Sequence, residues 1–361
     1  MSIKDPSNYP HNFALVPSEW ESNWQDDIWD PNWLKPLQDT AFSNMRFMDF
    51  LSTNDSPNRY WKDRTMPTNY TMGQAYGVAW EFVIDLCNKL SPIDCWINIP
   101  HLADDDYVQQ LAEMWYANYT GKGVIHLEYS NECWNGIFAC FHYIYNQSQQ
   151  AGISEWLWYG QRTCQIRKIW DQVYGDKSAT SLYTVLGTQE VNSWITNQEL
   201  LNGNNQCVDG IAIAQYYCTY GLNDTQKLEM TEDQLFDNME LEATLEHYAE
   251  FISAQMIVAN NYTGHNGQKL EVIGYEGSWG CTPDTYQQPM RDNLTTLYDS
   301  LVVNKRVIQT VINNLENFHN VTGGTLFNMF SYIGFGHQYG DWGHLEFQDS
   351  YHNQVGKGGY K

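Results

Sequence analysis

The chain has 361 residues, enough for one large α/β domain, with 42% hydrophobic and 15% aromatic side chains. Its formal charge is −24, from 43 acidic against 19 basic side chains, which excludes the attraction that nucleic-acid binding needs and sets the protein against polyanionic glycans. No run of 18 apolar residues occurs, so nothing reads as spanning a membrane, and the opening MSIKDPSNYP lacks the apolar core of a signal peptide. A signal, if the chain is exported, is expected upstream.

In chain order, short runs rich in β-branched and apolar residues alternate with stretches of helical period. NFALVP (12–17) and NMRFMDF (44–50) are the first two candidate strands. GVAWEFVIDLCNKL (77–90) follows, with Val78, Phe82, Leu86 and Leu90 on one helical face. CWINIP (95–100) is the third strand, and the helix after it, DDYVQQLAEMWYANY (105–119), aligns Tyr107, Leu111, Met114 and Trp115. VIHLEYS (124–130), LYTVLG (182–187) and GIAIAQYY (210–217) are the fourth to sixth strands. The acidic stretch 222–247 is expected to form a long loop plus helix above the sixth, leading into a helix over 247–262. LEVIGYE (270–276), a helical stretch over 293–315 and GTLFNMFSY (324–332) complete the series. Strand and helix repeated eight times predict an α/β fold, a (β/α)8 TIM barrel in a single domain over 12–346. Residues 1–11 read as an N-terminal extension and 347–361 as a polar, Gly-rich tail or linker. An open doubly wound sheet would carry a glycine-rich phosphate turn after its first strand, where this chain has SEWESNWQDD.

Two glutamates end candidate strands, Glu132 in VIHLEYSNECWN and Glu276 in LEVIGYEGSWG. The carboxyl ends of the strands are where a β/α barrel carries its chemistry. Two carboxylates facing each other across that mouth are what glycoside hydrolysis requires: one protonates the leaving oxygen, the other attacks the anomeric carbon or activates water. Glu132 stands among Tyr129, Cys133 and Trp134, an apolar setting that favours a protonated acid. Arg46, strand-borne in a chain poor in basic residues, is expected to pair with a carboxylate. The surplus of 15 Trp and 25 Tyr suits flat stacking on sugar rings, and the charge favours a neutral oligo- or polysaccharide.

These residues resemble the clan A retaining glycoside hydrolases, which are β/α barrels: Asn131–Glu132 ends one strand, Glu276 ends a later one and Arg46 opens the second. The resemblance extends to a poorly characterised branch of glycosidase-like extracellular proteins through RFMDFLSTN (46–54), WINIPHLADDDYV (96–108), EYSNECWN (128–135) and GYEGSWG (274–280), and covers roughly Asn12 to Glu346. It implies Glu132 as general acid/base, Glu276 as nucleophile, Asn131 as partner of the sugar 2-hydroxyl and Arg46 beneath Glu276. It also implies a ring at Tyr216, with Tyr217 as the competing choice, hydrogen-bonded to the nucleophile. His101 is expected to line the sugar subsite, with an Asp from Asp104–Asp106 capping the next helix rather than joining it in a metal site. Trp134, Trp279 and Trp342 are candidate sugar platforms. Where the clan often keeps a Trp at the end of the eighth strand, this chain has Ser331 and Tyr332, and Trp342 comes later. No metal or cofactor is implied.

Eight cysteines without a CxxC pair read as disulfides, and the near pairs Cys87 with Cys95, Cys133 with Cys140, and Cys207 with Cys218 could close small loops. Asn69, Asn118, Asn146, Asn223, Asn261, Asn293 and Asn320 open Asn-x-Ser/Thr patterns and are candidate N-glycosylation sites, whereas Asn54 is weakened by Pro57. Together these features point to a secreted, extracellular glycoprotein. The expected function is a retaining glycoside hydrolase acting on a neutral, β-linked glycan. The alternative is a non-catalytic, glycosidase-like glycoprotein: a carbohydrate-binding or structural unit that self-associates in an extracellular coat or filament.

Overall fold

The computed structural model describes residues 27–346 apart from positions 41, 70, 284, 286 and 325, together with Val16, Ser18, Glu21 and Ser22. Among the described residues six strands form one sheet in sequence order: β1 (Asn44–Arg46), β2 (Asp94–Ile99), β3 (Ile125–Tyr129), β4 (Leu182–Gly187), β5 (Gly210–Tyr217) and β6 (Glu271–Trp279). All five neighbouring pairs are parallel. A parallel partner requires the chain to return to the same end of the sheet, and helices make each return. Trp80–Leu90 lies between β1 and β2, Asp105–Asn118 between β2 and β3, and Ala139–Ala151 with Glu155–Tyr174 between β3 and β4. Ser193–Glu199 leads to β5 and Glu242–Asn261 to β6.

Of the eight expected strands, six are present. NFALVP (12–17) lies outside the described residues apart from Val16. GTLFNMFSY (324–332) is not a continuous strand. It runs beside β6 through an isolated parallel bridge, Gly274 with Phe327, where Gly274 N donates to Leu326 O at 3.0 Å and Asn328 N to Gly274 O at 2.9 Å. The sheet nonetheless curls until its edge strands meet: Arg46 on β1 and Glu276 on β6 form an ion pair of 3.0 Å. Beyond the strand ends, the Tyr332 hydroxyl donates to Trp33 O at 3.0 Å, and the Trp33 ring packs on Tyr332 and Phe50. The architecture is a nearly closed, barrel-like α/β sheet.

Strand alternation divides the side chains between two cores. Cys95, Ile97, Ile99, Ile125, Leu127, Tyr129, Leu186, Ile211 and Ile213 pack outward under the helices. Trp96, Val185, Ala212, Ile273 and Tyr275 fill the interior. Each fully buried aliphatic contributes about 1.5–3 kcal/mol. A one-residue slip in any strand would exchange its two faces, so the pattern fixes the register.

Three local expectations are corrected. The acidic 222–247 stretch, expected as a long loop plus a helix, is helical in that second part as expected and has two short helices in place of the long loop: Asp224–Glu229 and Glu232–Glu240 each open on a reciprocal capping box, Asn223 with Gln226 and Thr231 with Gln234. The stretch 293–315 is divided between two helices, Met290–Val302 and Val307–Thr322. Cys87–Cys95 and Cys133–Cys140 are bonded as expected, but Cys207 pairs with Cys164, and Cys218 with Cys281. Cys207 precedes β5 and Cys218 follows it, so an extended strand of about 25 Å separates them.

Candidate active site

The carboxyl ends of β3 and β6 deliver Glu132 and Glu276 to one mouth. After β3 the chain passes through left-handed backbone at Ser130 (φ 59°) and Glu132 (φ 43°), a conformation that costs a non-glycine residue about 1–2 kcal/mol. It is held because the side chains are held. Glu132 Oε1 accepts from the Tyr275 hydroxyl at 2.8 Å and Oε2 from Asn135 Nδ2 at 3.1 Å. Asn131 turns inward, its Oδ1 accepting from Arg46 Nη2 at 2.7 Å and its Nδ2 donating to Asn54 Oδ1 at 3.0 Å.

On β6 the register against β5 shifts by one residue: Ile213 lies opposite Gly274, but Ala214 lies opposite Glu276. The extra residue is Tyr275. In regular pleating neighbours point to opposite faces, whereas this bulge lets Tyr275 and Glu276 both turn into the barrel. Glu276 Oε2 then accepts from Arg46 Nη1 at 3.0 Å and Oε1 from the Tyr216 hydroxyl at 3.0 Å.

Beneath them Arg46 is also held by Glu128, which accepts from its Nε at 2.9 Å and from Nη2 at 3.0 Å. Trp96 Nε1 and Asn98 Nδ2 donate to the same carboxylate at 2.8 and 2.7 Å. Burial works against the guanidinium charge, but Glu128 and Glu276 outweigh it and hold Arg46 above its ordinary value. Burial also pushes the Glu276 carboxyl up to about 7, with Arg46 opposing and the nearby Glu132 charge reinforcing the rise. The Tyr216 and Tyr275 hydroxyls are raised well above their usual range, by burial first and then by these carboxylates, so both remain donors at neutral pH.

The structure thus brings together Arg46, Asn131, Glu132, Tyr216 and Glu276 from the residues singled out in the sequence. The choice between neighbouring tyrosines falls on Tyr216, because Tyr217 points outward and its hydroxyl bonds Thr310 at 2.8 Å. Trp342 reaches the site from the loop after Tyr332, its half-buried ring edge-on to Tyr216 at 5.0 Å. Trp134 is half-buried next to Glu132 in the chain. Two expectations fail. Trp279 is 5% exposed and packs outward against Tyr217 under the helices, so it offers no face to a sugar. His101 is 3% exposed, edge-on to Tyr143, and burial lowers it to about 4. A ring so enclosed does not line an open subsite. Asp104 caps the Asp105–Asn118 helix by accepting from Tyr107 N at 2.8 Å, as expected. Among the described residues no three His, Cys, Asp or Glu side chains gather as a metal site.

Glu128, Trp96, Asn98, Tyr275 and Asn54 belong to the constellation and were not singled out as site residues from sequence. The available signal was Glu128 itself, a charge at the centre of the apolar run VIHLEYS.

What fold and site define is a barrel-like α/β protein with a buried arginine–carboxylate network at the carboxyl ends of its strands. No family model matches the chain, and no curated protein is detectably similar. Among solved structures, an endo-laminarinase from Formosa Hel1_33_131 aligns over 83% of this chain and 85% of its own, at 10% identity and a TM-score of 0.29. A likeness that slight carries no argument about fold or activity.

Proposed function

We propose that the protein is a secreted retaining glycoside hydrolase of the clan A type, built on the eightfold β/α plan within 12–346 and acting on a neutral, β-linked glycan by double displacement. The observation that carries this reading is the electrostatic link between two carboxyls on strands far apart in sequence. Glu276 is gripped by Arg46 and Tyr216, and Glu132 by Tyr275. Because a charge on Glu132 raises the proton affinity of Glu276, the pair favours holding one proton between them, which the reaction uses from Glu132.

In the proposed reaction Glu276 attacks the anomeric carbon while Glu132 delivers its proton to the leaving oxygen. Glu132 then takes a proton from the water that hydrolyses the glycosyl-enzyme ester, which restores both groups. Arg46 and Tyr216 hold the attacking oxygens in place. Asn131 Nδ2 donates one hydrogen to Asn54, which leaves its other for the sugar 2-hydroxyl. Trp342 and Trp134 serve as sugar platforms. Four disulfides, the exposure of all seven favoured Asn-x-Ser/Thr asparagines, and the net charge of −24 support an extracellular glycoprotein and a neutral substrate. Among the described residues no helix is long and apolar enough to cross a membrane.

The test is incubation with a panel of 2-fluoro glycosides followed by peptide mass spectrometry. A covalent adduct on Glu276, absent from Glu276→Gln, is the expected result. Folded protein that no sugar labels and that hydrolyses no glycan would reject the enzyme in favour of a structural or binding role.

A further inference from the structure

Glu128 lies on β3 and faces the barrel interior, 1% exposed. Its carboxylate accepts from Arg46 Nε and Nη2, Trp96 Nε1 and Asn98 Nδ2 at 2.7–3.0 Å. All of these neighbours are donors. Burial raises this carboxyl above its ordinary value while Arg46, Trp96 and Asn98 oppose the rise, and a proton on Oε2 would find no acceptor among these donors. Space is reserved for the carboxylate on the neighbouring strand β4, where a Cβ at Gly187 would come within 2.8 Å of Glu128 Oε1.

The guanidinium has three nitrogens, and Glu128 engages Nε and Nη2. Nη1 is the nitrogen that reaches Glu276, at 3.0 Å, while Nη2 also donates to Asn131 at 2.7 Å. Rings stand beside the same group, with Tyr275 and Trp96 centroids 4.8 and 5.6 Å from its central carbon. We propose that Glu128 is a positioning residue for the glycosidase reaction, an inference that rests on the function proposed above: by gripping two nitrogens of Arg46 it aims Nη1 at Glu276 and Nη2 at Asn131, and it shares the arginine charge between two carboxylates. A guanidinium devoted to Glu276 alone would stabilise its anion most in the resting enzyme, where no bond is being made, and so weaken it as a nucleophile. Divided, the same charge holds Glu276 in place and leaves it basic.

The test is a carboxyl ¹³C NMR titration of glutamate-labelled protein, with the Glu276 signal assigned through Glu276→Gln. In the unsubstituted protein Glu276 is expected to titrate near 7. Glu128 is raised by burial and held down by Arg46, Trp96 and Asn98, and sharing of the arginine charge requires that it keep its own charge while Glu276 titrates. Glu128→Gln removes the competing charge, and the Glu276 midpoint falls by about one unit. Glu128→Asp keeps the charge and leaves the midpoint nearer its original value. In kinetics on an activated aryl glycoside, Glu128→Gln lowers kcat more than it alters KM, and the acidic limb of kcat/KM moves down with the midpoint. An unmoved midpoint in folded Glu128→Gln, or an equal shift in Glu128→Asp, overturns the proposal. So does a Glu128 that gains its proton alongside Glu276, a result read from the unsubstituted protein even if the variants fail to fold. The titration needs no turnover. A shifted midpoint in a protein that hydrolyses nothing would therefore refute the glycosidase reading and leave the charge sharing standing.

Discussion

Replacing Glu276 with Gln should change how stability depends on pH in a direction opposite to that of most carboxylates. The carboxyl is held at about 7 in the folded protein against an ordinary value of 4.5. Between those values the folded state binds more protons than the unfolded state, so stability is higher at low pH and falls as pH rises through the window. For a single group with these two constants, the loss from pH 5 to pH 8 is about 2.5 kcal/mol. Gln keeps the shape, and its amide oxygen can still accept from Arg46 or Tyr216, but it has no proton to lose. Relative to the parent, Glu276→Gln should therefore gain about 2.5 kcal/mol on going from pH 5 to pH 8. Equilibrium urea unfolding at the two pH values, followed by Trp fluorescence with the disulfides intact, reads this double difference, in which the remaining carboxylates largely cancel. A double difference below about 0.5 kcal/mol would show that Arg46 outweighs burial and that Glu276 is already ionised in mildly acidic solution. The basic nucleophile argued above would then be wrong. A gain would mark Glu276 as a residue kept for chemistry at the expense of stability.

Other outcomes follow from the same geometry. Glu132→Gln takes away the proton donor and leaves the Glu276 nucleophile in place, so an activated aryl glycoside should still form the covalent adduct on Glu276, as peptide mass spectrometry would show. Turnover of a substrate with a poor leaving group should fall by about 10²–10⁴ in the same variant, since that substrate needs the proton. Trp279→Ala should cost about 3–5 kcal/mol in urea unfolding and leave the activity of the folded fraction near normal, because the ring is core. Trp342→Ala should do the reverse, lowering kcat/KM with a smaller loss of stability. Non-reducing peptide mapping should recover Cys164–Cys207 and Cys218–Cys281. Removing Cys218–Cys281, which spans 63 residues, should cost about 4 kcal/mol, and removing Cys133–Cys140, which spans 7, about 2 kcal/mol, as urea unfolding would show.

Much of the site was legible because strand ends are written locally. VIHLEYS (124–130) contains β3 (Ile125–Tyr129), and the turn residues after it place Asn131 and Glu132 just beyond the pleat. The same reading found Arg46, Tyr216 and Glu276. Glu128 escaped for a physical reason. Its face of β3 carries His126 and Ser130, and an alternation of apolar with polar residues is equally the signature of a strand with one face in water. Only closure of the sheet turns that face into a barrel interior, and closure brings together residues as distant in sequence as Arg46 and Glu276, 230 positions apart.

The two tryptophans separate what parity can predict from what it cannot. Counting along β6 from Glu276, which faces inward, Gly277 faces out, Ser278 in and Trp279 out, so the burial of Trp279 under the helices follows once the direction of Glu276 is known. The same count backwards sends Tyr275 outward, and it fails. The bulge between Gly274 and Glu276 is a property of the pairing with β5, not of the β6 sequence. That single irregularity places the Tyr275 hydroxyl on Glu132 while Glu276 reaches Arg46, and so joins the two carboxylates into one site. Shifting the β6 register by one residue would leave every strand intact and part the two carboxylates.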